Sequence, residues 1–313
     1  MRTYSLLASA KVNLHLEIIG DRPDGYHEIV TIFQSIALAD QLQLALNGTQ
    51  QFRLSCNHPE VPLNETNLAY RAAKLMADTY PEQYQNLGGV DIAITKIIPV
   101  AAGLAGGSAN AAATLVGIDL LWNLGLTQPE LQQLGATLGA DVAFCVAGGT
   151  VLATGRGEAL DPLNNLTQGA LVLGKFRDLG VSTLWAYQSY RQEFGHTYST
   201  ADIFSEQVEH LRTGPLVNAI AQQDGPGIAK LLHNDLEKVV LPTHPKIQQL
   251  RQAFREAGAL GALMSGSGPT VFGLCADINH AEQLQNQLAG QFPAVDFWAT
   301  QFSPFSIQAQ TQA

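Results

Sequence analysis

Ile98-Pro99-Val100-Ala101-Ala102-Gly103-Leu104-Ala105-Gly106-Gly107-Ser108-Ala109-Asn110 is the stretch around which the chain is organised. The residues before it, 90–98, alternate around β-branched side chains and predict a strand. Pro99 is expected to end that strand, because proline cannot donate to a ladder. Residues 109–124 are rich in Ala and Leu and predict a helix. The turn between holds three glycines, one serine and no charge. Its backbone can approach a ligand closely, with Gly107 expected to need the freedom of glycine. The helix behind offers unpaired N–H groups and the positive end of its dipole, which together make a phosphate site. Neither common phosphate loop is present: no Lys follows the glycines, and the spacing is not G-x-G-x-x-G. A plain strand-to-helix turn is the bland alternative.

The 313 residues exceed one typical domain and predict two, divided within the polar stretch 161–168 into 1–165 and 166–313. Hydrophobic residues at 46% and charged residues at 14% suit a soluble, well-buried protein. A net charge of −10 without a basic run argues against nucleic acid as partner. A phosphate-bearing ligand would therefore have to be held locally, by N–H groups, a few lysines and a metal ion. No apolar run is long enough for a membrane span, so none is expected. The N-terminus carries no leader pattern, and Cys56, Cys145 and Cys275 are scattered. Both facts predict a cytoplasmic protein whose cysteines are small buried hydrophobes.

Residues 6–20 read as a strand with Ala8, Ala10, Val12, Leu14 and Leu16 on one face and Lys11, Asn13 and His15 on the other. Such a polar face can line a cleft, although on pattern alone an exposed Lys11 is the simpler reading. Asp21 to Glu28 is a loop by its Pro and Asp-Gly content. Tyr26 and His27 at its exit could stack on and hydrogen-bond a ring, or could be ordinary core residues. Residues 29–46 read as one or two strands with a turn near Ala39-Asp40. Asn64 to Asn67 supplies cap residues for a helix over 68–80. Thr127-Gln128-Pro129-Glu130 is a capping box for a helix to about Leu138. Asp141 stands alone in an apolar segment, where it must be paired or cap a short helix. In the second half, 170–174, 261–264, 270–275 and 295–302 predict strands. Residues 183–193, 216–223, 227–233, 245–257 and 279–288 predict helices, with 195–206 polar and mobile. Strands at both ends suggest an open α/β sandwich.

Three segments in this order resemble the motifs of the GHMP kinases: Ala10-Lys11-Val12-Asn13-Leu14, the loop 99–109, and Ser265-Gly266-Ser267-Gly268-Pro269. Asp24-Gly25-Tyr26-His27-Glu28, Gly139-Ala140-Asp141-Val142 and Asn234-Asp235-Leu236-Glu237 narrow the resemblance to members acting on a cytidyl diphosphate of a branched polyol. Ala105, Ala109 and Ala143 depart from the family's usual Gly, Ser and Pro. The loop is expected to keep its shape if φ at Ala105 is negative.

The resemblance implies an α+β, two-domain GHMP kinase fold. The N-terminal domain would be S5 domain 2-like, with a left-handed β-α-β unit, and the C-terminal domain a ferredoxin-like α/β sandwich. It implies transfer of the ATP γ-phosphoryl to the tertiary 2-hydroxyl of 4-diphosphocytidyl-2-C-methyl-D-erythritol, with Mg²⁺. Asp141 would be the base and Lys11 its catalytic neighbour. Pro99, Val100, Ala101, Ala102, Gly103, Leu104, Ala105, Gly106, Gly107, Ser108 and Ala109 would bind ATP, Ser108 lying near the metal. Asn13 would contact the acceptor, Tyr26 would stack on cytosine, and His27 would bond its edge. Trp185 or Tyr187 would close the sandwich, and Gly266 and Ser267 would shape the phosphate end of the pocket. The protein would be a monomer or weak homodimer. A homoserine or mevalonate kinase of the same superfamily, and a non-catalytic sensor on the same fold, stay open as readings.

Overall fold

The computed structural model describes residues 2–199 and 201–310. Its first half builds β1 (Thr3–Asp21), β2 (His27–Leu46), β3 (Arg53–Cys56), α1 (Leu68–Thr79), α2 (Pro81–Leu87) and β4 (Val90–Thr95). Then come α3 (Gly106–Trp122), α4 (Gln128–Leu138), α5 (Ala140–Ala147), β5 (Thr150–Thr154) and β6 (Ala159–Pro162). The second half gives β7 (Ala170–Phe176), α6 (Thr183–Phe194), a 3₁₀ turn at Gly195–Thr197, α7 (Ala201–Arg212), α8 (Pro215–Ala221) and α9 (Gly225–Leu231). It continues through β8 (His233–Asn234), α10 (Glu237–Thr243), α11 (Pro245–Glu256), β9 (Gly261–Met264) and β10 (Val271–Cys275). It ends with α12 (Ile278–Gln291), β11 (Val295–Gln301) and β12 (Ile307–Gln310). No helix among the described residues is long and apolar enough to cross a membrane.

The first sheet runs β12-β1-β2-β4-β3, with β5 and β6 continuing from β2. Helix α3 lies on it and is apolar on every side, so it is enclosed rather than amphipathic. Its alanines let it sit close: a Cβ on Gly117 would come within 2.9 Å of Leu44 on β2. The second sheet is antiparallel, in the order β11-β7-β10-β9. Numbered along the chain that order is fourth, first, third, second, the ferredoxin-like arrangement.

The connection between the sheets passes through 163–169, yet the second half returns twice. β12 pairs antiparallel with β1, and β8 pairs with it in parallel at His15 and Leu16. Residues 233–234 and 307–310 therefore belong to the first sheet, and a single cut of the chain does not separate the two. Asp235 fastens this crossing: its carboxylate accepts the Ile18 N–H at 2.8 Å and a proton from Lys238 at 2.7 Å, with His233 Nε2 at 3.1 Å.

Several expectations change. Residues 29–46 contain no turn at Ala39-Asp40, for β2 continues through them, with residues 36–38 bulging opposite Ala10. Asp40 is fully buried, and its carboxylate accepts the Ile97 and Ile98 N–H groups at 2.7 and 2.9 Å. An Asp so well supplied with donors has no need of a turn. β4 ends at Thr95, before Pro99, because the next N–H groups leave the ladder: that of Lys96 donates to Asn57 Oδ1 at 2.7 Å, and those of Ile97 and Ile98 to Asp40. In β1 both faces are buried from Ala8 to Leu14, and register shifts beside Lys11 and Asn13 replace simple alternation. Lys11 is 4% exposed, so the exposed-lysine reading fails. The stretch 195–206, expected to be polar and mobile, holds the 3₁₀ turn and the start of α7; Thr200 within it lies outside the described residues. Strands β3, β6, β8 and β12 and helices α2, α7 and α10 have no counterpart in the sequence reading. Cys145 and Cys275 are buried and free, and burial pushes both thiols up.

Asp235 generates a prediction for acid. Burial raises its carboxyl, but the bonds from His233, Lys238 and the Ile18 N–H outweigh that and hold it at about 2. The unfolded chain binds this proton first as pH falls. The pair of states therefore gains stability above about pH 4 and loses it as pH drops towards 2, by roughly 2 kcal/mol for such a shift. Urea titrations of wild type and Asp235→Asn should differ clearly near pH 6 and converge near pH 2. A constant gap across that range would refute the assignment.

Candidate active site

Three segments far apart in sequence interlock at the centre of the molecule. The Lys11 N–H donates to the Leu104 carbonyl at 3.1 Å, tying β1 to the glycine loop. The Ser265 hydroxyl donates to the Gly103 carbonyl at 3.0 Å, tying the loop to the turn after β9. Gly103 has φ +73°, and a Cβ there would lie 2.3 Å from the Ser265 carbonyl oxygen. Asn234, at the end of β8, donates to the Met264 and Gly266 carbonyls at 2.7 and 2.8 Å and so shapes that turn from behind. Glu237 accepts the Met264 N–H at 2.9 Å.

Lys11 sits in this junction with its orientation fixed. The Thr31 hydroxyl donates to the His15 carbonyl at 2.6 Å, which leaves its lone pairs for the Asn13 amide nitrogen at 2.8 Å. Asn13 must then turn its oxygen to the Lys11 ammonium, which donates to it at 2.8 Å. The Phe33 ring lies 5.0 Å below the charge. Asp141 Oδ2 is 3.8 Å from Lys11 Nζ. Asp141 occupies the first turn of α5, where the helix dipole favours a carboxylate, but Gly139 is the cap residue. The acid is thus paired, and the capping reading is not what the fold uses.

Two cavities meet at this pair. One, of about 460 Å³, runs along the glycine loop and is bordered by every residue from Pro99 to Ser108, with Lys11, Asn13, Gly266 and Ser267. Val61, Pro62, Asn67 and Leu68 also wall it. The other, of about 640 Å³, is bordered by Tyr26, His27, Gln188 and Arg191. Ile29, Ser108, Asp141, Arg156, Thr183 and Tyr187 border both. The Arg156 guanidinium stands 5.1 Å from the centroid of Tyr26, which is 59% exposed. His27 is 7% exposed, its ring 5.1 Å from Tyr187, and its Nε2 is buried without a hydrogen-bond partner. Burial, then the Arg191 cation, hold the imidazole below its ordinary range against the pull of Asp21, so it is neutral at pH 7. Burial and then the Asp141 charge push the Tyr187 phenol up, so it too is neutral.

Most residues singled out in the sequence converge here, with two exceptions. Trp185 borders neither cavity and meets His244 edge-on at 5.6 Å. Ala109 is fully buried within α3, behind the loop. The loop also departs from its expected backbone. Ala105 has φ +57° and Ala101 φ +50°, so the condition of a negative φ at Ala105 is not met. Each costs roughly 1–2 kcal/mol, which the bonds from Lys11 and Ser265 oppose. Gly107 lies in the first turn of α3, and a Cβ there would meet only ordinary contact, at 3.8 Å. The tight packing against other backbone and the positive φ that require glycine fall at Gly103. Lys96, Asp40, Arg156 and the wall at Val61-Pro62 were missed. Only Asn64 to Asn67 gave a signal there, and it was read as a helix cap.

Comparison with known proteins places the chain in a family. The family model described as GHMP kinases N terminal domain matches 67–149, and the GHMP kinases C terminal model matches 216–294. A protein of Gloeothece citriformis named 4-diphosphocytidyl-2-C-methyl-D-erythritol kinase is 55% identical over 313 residues, covering 99% of each chain. One of the same name from Trichormus variabilis is 58% identical over 299 residues, covering 95% of this chain and 94% of its own. A crystal structure of 4-(cytidine 5'-diphospho)-2C-methyl-D-erythritol kinase is 33% identical, with TM-score 0.73 over 96% of this chain and 99% of that one. The homoserine kinase of Cytophaga hutchinsonii, at 20% identity and TM-score 0.75 over 99% and 98%, shares the fold.

The two glycines should respond differently to the same methyl group. Gly103→Ala forces Ser265 away and should weaken ATP binding at least tenfold while lowering Tm by several degrees, as for an overpacked, strained position. Gly107→Ala should leave both near wild type. Calorimetric titration and thermal melts of the two variants decide it, and equal effects would refute the distinction.

Proposed function

The chain belongs to the GHMP kinases, among the 4-diphosphocytidyl-2-C-methyl-D-erythritol kinases, and from that premise we propose how its two cavities divide the reaction. It is an ATP-dependent kinase for the 2-hydroxyl of 4-diphosphocytidyl-2-C-methyl-D-erythritol, in the non-mevalonate route to isoprenoid precursors. The observation that carries the division of roles is the Lys11–Asp141 pair standing where the cavities join.

The glycine-loop cavity takes ATP. The N-terminus of α3 offers its free N–H groups to the triphosphate, and the apolar wall of Val61, Pro62 and Leu68 takes the adenine. The other cavity takes the cytidyl end. Tyr26 supplies an exposed ring for stacking, Tyr187 closes the far side, and Trp185, which faces His244, takes no part. The unpartnered, neutral His27 Nε2 bonds the edge of the base. The acceptor hydroxyl then comes to lie at Asp141, between the two nucleotides.

Phosphoryl transfer has a loose transition state, so alignment and charge neutralisation carry most of the rate. Asp141 takes the hydroxyl proton late. Lys11 cannot swing away, because Asn13 and Thr31 fix it, and it steadies the alkoxide and the transferring group. Gly266, with φ +55° and the Gly103 carbonyl oxygen 3.3 Å from where a Cβ would stand, keeps the turn beside Lys11 and Asn13 in the conformation glycine favours. Mg²⁺ binds mostly to phosphate and water oxygens. The Ser108 hydroxyl and Asp141 carboxylate border one cavity, and among the described residues no group of three or more His, Cys, Asp or Glu surrounds a metal position. That donor set fits an ion held chiefly by the triphosphate, with Ser108 and Asp141 beside it. When bound, the ion neutralises phosphate charge.

Asp141→Asn should lower kcat by about 10²–10⁴, nearer the lower figure because a loose transition state asks little of a base. An unchanged kcat would remove Asp141 from that role. The specificity claim is separable. Tyr26→Ala should weaken cytidyl and uridyl substrates alike, since stacking tolerates any base. His27→Ala should shrink the ratio of their kcat/KM values, because a site that bonds a base edge rejects one lacking the matching groups. A wild-type ratio retained in His27→Ala would show that His27 does not read the base.

A further inference from the structure

The glycine loop carries no lysine, but the fold brings one beneath it. Lys96 lies three residues before Pro99, its side chain is only 5% exposed, and it borders the loop cavity. Its ammonium packs under the first turn of α3: a Cβ on Gly106 would come within 2.8 Å of Lys96 Nζ. One of its protons goes to Asp40 Oδ2. An ammonium has three, and among the described residues no second acceptor takes the others.

Asp40 is saturated. One oxygen accepts the Ile97 and Ile98 N–H groups, and the other accepts Lys96 and the Asn110 amide at 2.8 Å. This carboxylate therefore ties together the end of β4, the start of the loop and the first turns of α3. A buried cation without such a partner would be strongly disfavoured. With it, the ammonium is held at the end of α3 whose dipole already favours anions.

We propose that Lys96 is a triphosphate-binding residue of the ATP site and that Asp40 is the positioning residue that holds it there. The proposal rests on the assignment of the triphosphate to the glycine loop. Lys96 supplies from the preceding strand the cation that a Gly-Lys-Ser loop carries within itself. Because Asp40 neutralises it in the empty site, the charge can be kept in a dry position until polyphosphate arrives. Lys11, beside Asn13 and Asp141, stands at the acceptor end where the γ-phosphoryl is transferred, which leaves Lys96 as the cation beneath the loop itself.

Calorimetry with ATP and with adenosine, alongside steady-state kinetics, tests this. Wild type should prefer ATP. Lys96→Met should reduce the ATP-to-adenosine affinity ratio about ten- to a hundredfold, as expected for one charge-assisted bond. Adenosine affinity should hardly change, and KM for ATP should rise much more than kcat falls. Asp40→Asn should also lower the ratio, but in the Lys96→Met background it should add nothing, because it acts through Lys96. Should Asp40→Asn alone fail to fold, Lys96→Met and the doubly neutral variant carry the test. A Lys96→Met protein that keeps the wild-type ratio, or loses both ligands alike, overturns the proposal while leaving the loop assignment standing. A wild type that does not distinguish ATP from adenosine overturns the loop assignment and the proposal with it.

Discussion

The Ser265 hydroxyl donates to the Gly103 carbonyl across 162 residues of sequence, and the backbones at that point come too close for any side chain at Gly103. This contact joins the turn after β9, in the second sheet, to the glycine loop that follows β4 in the first. Loops of such glycine content pay a large entropy to become ordered. Here ordering comes from outside the loop: Lys11 holds Leu104, Ser265 holds Gly103, and Asp40 holds Ile97 and Ile98. The left-handed alanines at 101 and 105 are tolerable only because the surroundings fix the backbone so fully.

The electrostatics follow from the same architecture. A chain of net charge −10 repels polyphosphates at long range, so attraction must be short-range and concentrated. The cleft gathers Lys11, Lys96 and Arg156 around the N-terminus of α3. Two of these cations are buried, and each is matched by an acid, Asp141 or Asp40. Burying an unpaired charge costs several kcal/mol even after relaxation, so the partners allow cations to wait in a dry site. The arrangement also separates roles: Asp40 is saturated and stays structural, whereas Asp141 keeps an open side toward the cavities.

The N-D-L-E segment shows why a motif can be visible while its purpose is not. Asn234, Asp235 and Glu237 carry part of the family resemblance, but none borders either cavity. Asn234 and Glu237 support the turn that carries Gly266, and Asp235 fastens β1 to the second half. Their partners are backbone groups on other strands, and spacing along the chain carries no information about those.

The sequence by itself determined whatever depends on local chemistry. The strand–glycine–helix turn, the Asn67 and Thr127 caps and most strands of the second half follow from short-range propensity, and the three motifs identified the family. Long-range pairing was decided only by the fold. Ala39-Asp40 looks like a turn until four donors from residues 96–110 surround it. Lys11 looks solvated until β2, Phe33 and the Ser265 turn enclose it. Tyr187 and Trp185 are indistinguishable on a helical repeat until α6 packs, turning one to His27 and the other to His244. Whether a polar side chain is exposed, paired or catalytic depends on what lies across from it. That is a property of the folded backbone, and the order of residues along the chain does not encode it locally.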